Sequence, residues 1–181
     1  LKTDDIKSAK TSSDTVMNNF LNFSASKEDL DISLNFRVYE DLSKVNQEDK
    51  FEYIYPNFTV TKILETSFDS FGSFDYQVSG FQKKYNTNIT EKLFINDFSF
   101  LSKPFFSNLG FKNDYQWFFK NSNKEGKNSP TYKNDITSNM YSALIFNSYY
   151  PLSKETSHYE KEFVPKISLR MSPNSSEILT N

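Results

Sequence analysis

Cysteine is absent, which excludes a disulfide framework and a thiolate metal site. It leaves the compartment open, because an exported protein can lack disulfides. Glycine occurs only four times. Gly72 and Gly80 have neither the spacing nor the context of a phosphate-cradling loop. Arginine is confined to Arg37 and Arg170, and a net charge of −2 gives no electrostatic footprint for nucleic acid. No apolar run approaches the ~18–20 residues of a membrane helix. No secretion signal opens the chain, which begins Leu1-Lys2-Thr3-Asp4-Asp5. That start reads as a processed chain or an excised piece.

The motifs of catalysis are equally thin. His158 is the only histidine and sits in a Ser/Glu/Lys-rich turn, the setting of a solvated residue rather than a general base. Asp4/Asp5 and Asp29/Asp31 lack the rest of a calcium loop. Asn22-Phe23-Ser24, Asn57-Phe58-Thr59, Asn88-Ile89-Thr90 and Asn174-Ser175-Ser176 fit the glycosylation pattern. In a chain this rich in Asn, Ser and Thr, chance accounts for them. The expectation is therefore no enzyme, no catalytic residue, no metal and no cofactor.

What the chain has is aromatic side chains, 17% of its 181 residues, and a persistent two-residue alternation. Aromatics favour strands, and alternate side chains of a strand point to opposite faces. Ile32, Leu34, Phe36 and Val38 alternate with Ser33, Asn35, Arg37 and Tyr39. Ile54, Pro56, Phe58 and Val60 share one parity, with Tyr53, Tyr55, Asn57 and Thr59 on the other. Phe74, Tyr76 and Val78 oppose Ser73, Asp75, Gln77 and Ser79. The phase slip from Gly80 to Phe81 predicts a bulge there. Pro56 cannot donate to a ladder, so it implies an edge, a bulge or a strand end. Asn86-Thr87-Asn88 makes a tight connection, asparagine tolerating positive φ.

Later strands follow the same rule. Residues 89–101 are apolar on both faces in places, with Leu93 and Ile95 against Phe94, Phe98 and Phe100. Phe111, Tyr115, Trp117 and Phe119 oppose Lys112, Asp114, Gln116 and Lys120. Residues 102–108 read as a turn, and residues 121–130 as the most loop-like segment. From Met140 to Ser172 two runs flank a polar connection. Leu144 and Phe146 oppose Tyr141, Ala143 and Ile145. Phe163, Pro165, Ile167, Leu169 and Met171 oppose Lys166, Ser168, Arg170 and Ser172. This is a long antiparallel hairpin.

The prediction is all-β, an antiparallel meander of about seven long strands over 31–40, 51–64, 73–84, 89–101, 109–120, 139–150 and 162–172. Residues 1–30 form a polar, weakly patterned segment, in which Val16, Met17, Phe20 and Leu21 have helical spacing. Residues 31–172 form one β-barrel-like unit, and 173–181 a polar tail. Ordinary strands average ~5–6 residues, whereas outer-membrane spans need ~9–11. A fragment of a large outer-membrane barrel therefore stands beside a soluble β-sandwich or curved sheet.

Several phrases occur together in order. They are Val38-Tyr-Glu-Asp-Leu42, Phe51-Glu-Tyr-Ile-Tyr-Pro56, Gly80-Phe-Gln-Lys-Lys-Tyr-Asn-Thr-Asn88, Lys120-Asn-Ser-Asn123, Tyr150-Pro-Leu-Ser-Lys-Glu155 and Phe163-Val-Pro-Lys-Ile-Ser-Leu-Arg-Met-Ser-Pro-Asn174. From about residue 30 onward the chain resembles the barrel region of the LPS-assembly protein LptD (organic solvent tolerance protein) family, in its α-proteobacterial form. The resemblance implies an internal piece of a cell outer membrane barrel that encloses a lipoprotein plug partner (LptE-like) and inserts lipopolysaccharide into the outer leaflet. It lacks the family's cysteines, the periplasmic lipid-receiving domain and the closing strands. Under that reading Arg37, Lys112, Lys120, Lys166 and Arg170, on the polar faces of their strands, are lumen-facing contacts for glycolipid phosphates. Arginine, with its bidentate geometry, makes Arg37 and Arg170 the stronger pair. Otherwise these cations mark an ordinary wet face. The isolated piece is expected to be oligomeric or a strongly curved sheet closed on itself, with bends easiest at Gly72, Gly80 and Gly110. The competing functions are a soluble β-rich binding or adhesion domain of a surface lipoprotein and a segment of another outer-membrane barrel.

Overall fold

A computed structural model describes residues 15–45, 48–64, 70–156 and 159–173, with the backbone of 177–179. Every regular element among them is a strand. The main ladder follows chain order: β1 (Val16–Lys27), β2 (Leu30–Asp41), β3 (Phe51–Leu64), β4 (Gly72–Tyr85) and β5 (Thr90–Ser102). The two-residue β6 (Phe105–Phe106) then pairs with the start of β7 (Lys112–Lys127), which runs beside β5. After β8 (Thr137–Tyr149) the chain makes a free hairpin, β9 (Leu152–Thr156) and β10 (Tyr159–Phe163). It then returns along β8 as β11 (Lys166–Met171) and β12 (Glu177–Leu179). All pairings are antiparallel, so the fold is an antiparallel meander, with eight strands on its main path.

The sheet stays open. β1 and β11 are its edges and share no ladder, so the curved sheet closed on itself is not what forms. Two loops are bound together at one end, where Asn86 accepts from the Phe51 N–H (3.0 Å) and donates to the Glu48 carbonyl (2.8 Å). Asn88 turns with φ +67°, as its residue type allows.

One open reading is settled and three local expectations need correction. Residues 16–27, whose weak pattern left helix and strand open, form a strand. Leu21 and Phe23 lie opposite Phe36 and Leu34, and the Phe23 and Phe36 rings meet edge-on at 6.4 Å. Cross-strand burial outweighs a four-residue helical spacing that has no apolar stripe to extend it. Residues 121–127 stay in the ladder despite their Asn/Ser/Lys composition, because β5 and β8 supply partners on both sides, including Lys92–Glu125 at 2.9 Å. The connection 150–165 carries its own ladder, β9 with β10. His158 lies outside the described residues.

The third correction concerns the bulge. Register is continuous through Gly80, which pairs with Phe94. The slip falls at Tyr55-Pro56, where two β3 residues oppose Phe36 on one side and Gln82 on the other. Pro56 has no N–H, so an inner strand can hold it only where the ladder is interrupted. The extra residue reverses the parity of β3. Ile54 therefore faces the opposite way from Phe58 and Val60, not the same way. Gly80 is required for closeness instead, since a Cβ there would stand 2.4 Å from the Leu93 carbonyl and 3.1 Å from the Phe58 ring. Phe58 and Phe94 fill that space from either side, their centroids 6.3 Å apart. Gly80→Ala is expected to cost about 1–3 kcal/mol in urea unfolding, while Ser79→Ala next to it should stay within about 0.5 kcal/mol.

Candidate functional site: the inner face of the sheet

A single-layered sheet has no second layer to pack on. One of its faces is buried only by its own curl and by loops folded across it. The register places Tyr39, Glu52, Ile54, Phe81, Lys83, Glu91, Leu93, Ile95, Ala143 and Asn147 on one common face, and all of these are buried. The same face carries Asn35, Arg37, Gln77, Asp97, Asp114, Lys120 and Arg170. This face carries most of the sheet's charged and amide side chains, with its buried apolar residues gathered toward one end. The opposite side carries Ile32, Leu34, Phe36, Val60, Phe74, Val78, Phe98 and Trp117, and on toward β11 Leu144, Ile167, Leu169 and Met171, the last four exposed. Its rings form a ladder: Phe74 to Phe100 at 4.5 Å, Phe98 to Trp117 at 5.5 Å, Tyr115 to Phe146 at 5.1 Å. Nothing among the described residues covers it.

Within the inner face the five cations named from sequence all share the side but not the place. Lys112 and Lys166 flank Tyr149 in one cross-strand row, Lys166 lying 5.0 Å over its ring. Arg170 donates to the Tyr141 hydroxyl and stands 5.9 Å from that ring. Lys120 is opposite Tyr141 and pairs with Asp97 at 3.5 Å. These four line the β7–β8–β11 flank. Arg37 is far off on β2, held by Asn35 at 2.6 Å and the Tyr39 hydroxyl at 3.1 Å. A polar chain links the flank internally: Asn147 donates to Asp114 at 2.7 Å and accepts from Ser168 at 2.7 Å.

The chain matches no family model, no curated protein and no solved structure. The functional reading therefore rests on the geometry.

The other end of the inner face holds a charged cluster that the sequence reading missed. Lys83 stands 3.7 Å from Glu52, both buried, and directly opposite Glu91. Ser129 donates to Glu91 at 2.6 Å and so pins the β7–β8 loop over the cluster, where Tyr132 packs on the apolar core. Tyr85 closes the row beyond the outer apolar band. Burial, and then the carboxylates of Glu52, Glu91 and Asp49, push its hydroxyl above the ordinary tyrosine range. One signal was present in the sequence. Phe81 breaks the alternation because the inner face turns apolar at this end, and Ile54, Leu93 and Ile95 belong to the same patch.

Proposed function

We propose that this chain is a segment of an outer-membrane β-barrel, specifically of a translocon of the LptD kind that inserts lipopolysaccharide into the outer leaflet. The observation that carries the reading is the reversal of faces. A sheet that folds for water buries a continuous aliphatic face, whereas here the buried apolar residues are gathered toward one end of a largely polar inner face and the continuous aliphatic and aromatic side stands outward. The outward band fits a bilayer in height. From Leu30 to Val38 on β2 it spans ~26 Å at about 3.3 Å per residue, close to the ~25 Å band of outer-membrane barrels. The band slants across the sheet: on β4, β5 and β7, Gln82, Lys84, Lys92 and Glu125 share the rows of Phe36 and Val38 and bound it there on the same side.

In this reading the strands belong to a larger barrel in the cell outer membrane, and the inner face lines its lumen. Lys112, Lys120, Lys166 and Arg170 on one flank, with Arg37 on the other, meet the phosphates of the passing glycolipid. A lipoprotein plug of the LptE kind occupies the concavity. The chain is no enzyme and binds no nucleic acid. Taken alone it associates with itself, through the open edges of β1 and β11 and the uncovered outer face.

Trp117 is the chain's one tryptophan and sits on the outer face. In vesicles whose acyl chains carry bromine its fluorescence should be strongly quenched. A soluble binding domain would leave it unquenched, and that result would sink the bilayer reading. Photo-crosslinking from position 170 in the parent protein should capture lipopolysaccharide, and failure there would remove the cargo.

A further inference from the structure

The hairpin β9–β10 is not a separate module. One register runs from Leu144/Met171 through Tyr149/Lys166 to Leu152/Phe163 and Thr156/Tyr159. The Tyr150 N–H bonds the Pro165 carbonyl at 3.0 Å across the gap. β8 and β11 therefore continue as a two-stranded ribbon past Lys112, where β7 begins, and no strand among the described residues flanks it, although Phe111 packs on Tyr150 at its base (4.8 Å). The alternation carries on as well. The outer stripe of Met171, Leu169 and Ile167 leads to Phe163, then to Lys161 and Tyr159.

Two features of this extension point to a ligand. Lys154 and Lys161 are directly opposite each other on the ribbon. Like charges in that position repel each other, and an anion held between these two exposed side chains would relieve that repulsion. Neither is ion-paired with a carboxylate among the described residues, and Lys161 stands 4.8 Å over the Tyr159 ring. The pair also sits at a definite height. It is two residues, ~7 Å, past Phe163, the last apolar side chain of the stripe. The headgroup layer adds about 5–8 Å to each side of the hydrocarbon core. The ribbon's other face, which continues the inner side, carries Glu162 and a pair opposite in sign to the lysines, Glu155 across from Glu160.

We propose that Lys154 and Lys161 form a clamp for the phosphate of an anionic lipid headgroup, with Tyr159 and Phe163 seated at the same interface. The proposal rests on the outer stripe facing a bilayer. Its occupant is fixed by charge complementarity together with continuity with the apolar stripe, which a soluble anion would not use.

The test is binding of the full chain to vesicles of phosphatidylcholine alone and of phosphatidylcholine with phosphatidylglycerol. At about 1 kcal/mol per lysine near an anionic surface, K154Q/K161Q should bind the phosphatidylglycerol vesicles about 30-fold more weakly and the neutral ones unchanged. K154R/K161R should restore binding, E155Q/E160Q should not weaken it, and inorganic phosphate at matched ionic strength should not compete. Equal binding by K154Q/K161Q and the parent overturns the clamp. So does an equal loss on both vesicles, or displacement by inorganic phosphate. Trp117 quenching is read on the same samples. Its absence in the parent rejects the bilayer reading itself, whereas quenching with no effect of K154Q/K161Q rejects only the clamp.

Discussion

Lys83→Met should destabilise the chain by about 3–5 kcal/mol, the usual cost of breaking a buried charge pair from one side. Lys83 stands between two acids, 3.7 Å from Glu52, its diagonal neighbour on β3, and opposite Glu91 on β5. Glu52 is fully buried. Removing the lysine leaves the buried Glu52 carboxylate without its cation and a second buried carboxylate, Glu91, on the far side of β4. Glu52→Gln should cost less, because Lys83 keeps Glu91 across the strand. The pair E52Q/K83M should cost less than the two single changes added together, since each removes part of the other's damage. Urea unfolding of the four proteins, followed by circular dichroism in one detergent, measures the cycle. An additive result, or Glu52→Gln as costly as Lys83→Met, would show that the row does not act as a unit.

The second large effect separates the two faces. In protein held in a bilayer, Leu34→Lys should cost about 2–4 kcal/mol if position 34 lies near the midplane. Leu34 lies within the outer band on β2, opposite Phe23 and Phe58. Ser33→Lys, one residue away, points to the inner side, where its neighbours are Ser24 and Thr59. It should change stability by less than about 0.5 kcal/mol. Asn35 is the poorer control, because its side chain bonds Asn22 and Arg37. Reversible unfolding from lipid vesicles gives both numbers. Comparable costs at 33 and 34 would contradict the outward assignment of the aliphatic face.

Much of the architecture was legible as alternation. Ile32 to Val38, Phe74 to Val78 and Phe111 to Phe119 alternate with polar residues over lengths that only long strands accommodate. The structure puts strands there, with the boundaries of β2 and β4 within one residue of the expected ones and β7 running seven residues past its expected end. The shared side of Arg37, Lys112, Lys120, Lys166 and Arg170 was legible for the same reason, since parity within each strand is a local property. The Glu52–Lys83–Glu91 row was not. It joins three strands whose mutual register depends on the bulge at Tyr55-Pro56, and a one-residue slip moves every later side chain of that strand to the other face.

The order of apolar and polar residues along the chain thus determined by itself that this is a protein of long antiparallel strands with two unlike faces. That follows because side-chain direction in a strand repeats every two residues whatever the partners are. Only the tertiary structure decided which face is shielded, and it is the largely polar one, with its apolar residues gathered toward one end. It also decided that the weak pattern of residues 16–27 becomes an edge strand, that Ile54 turns inward, and that one lysine is set between two glutamates. Each of these depends on which strand lies alongside and on how far the sheet curls, and both are settled by pairing between segments distant in sequence.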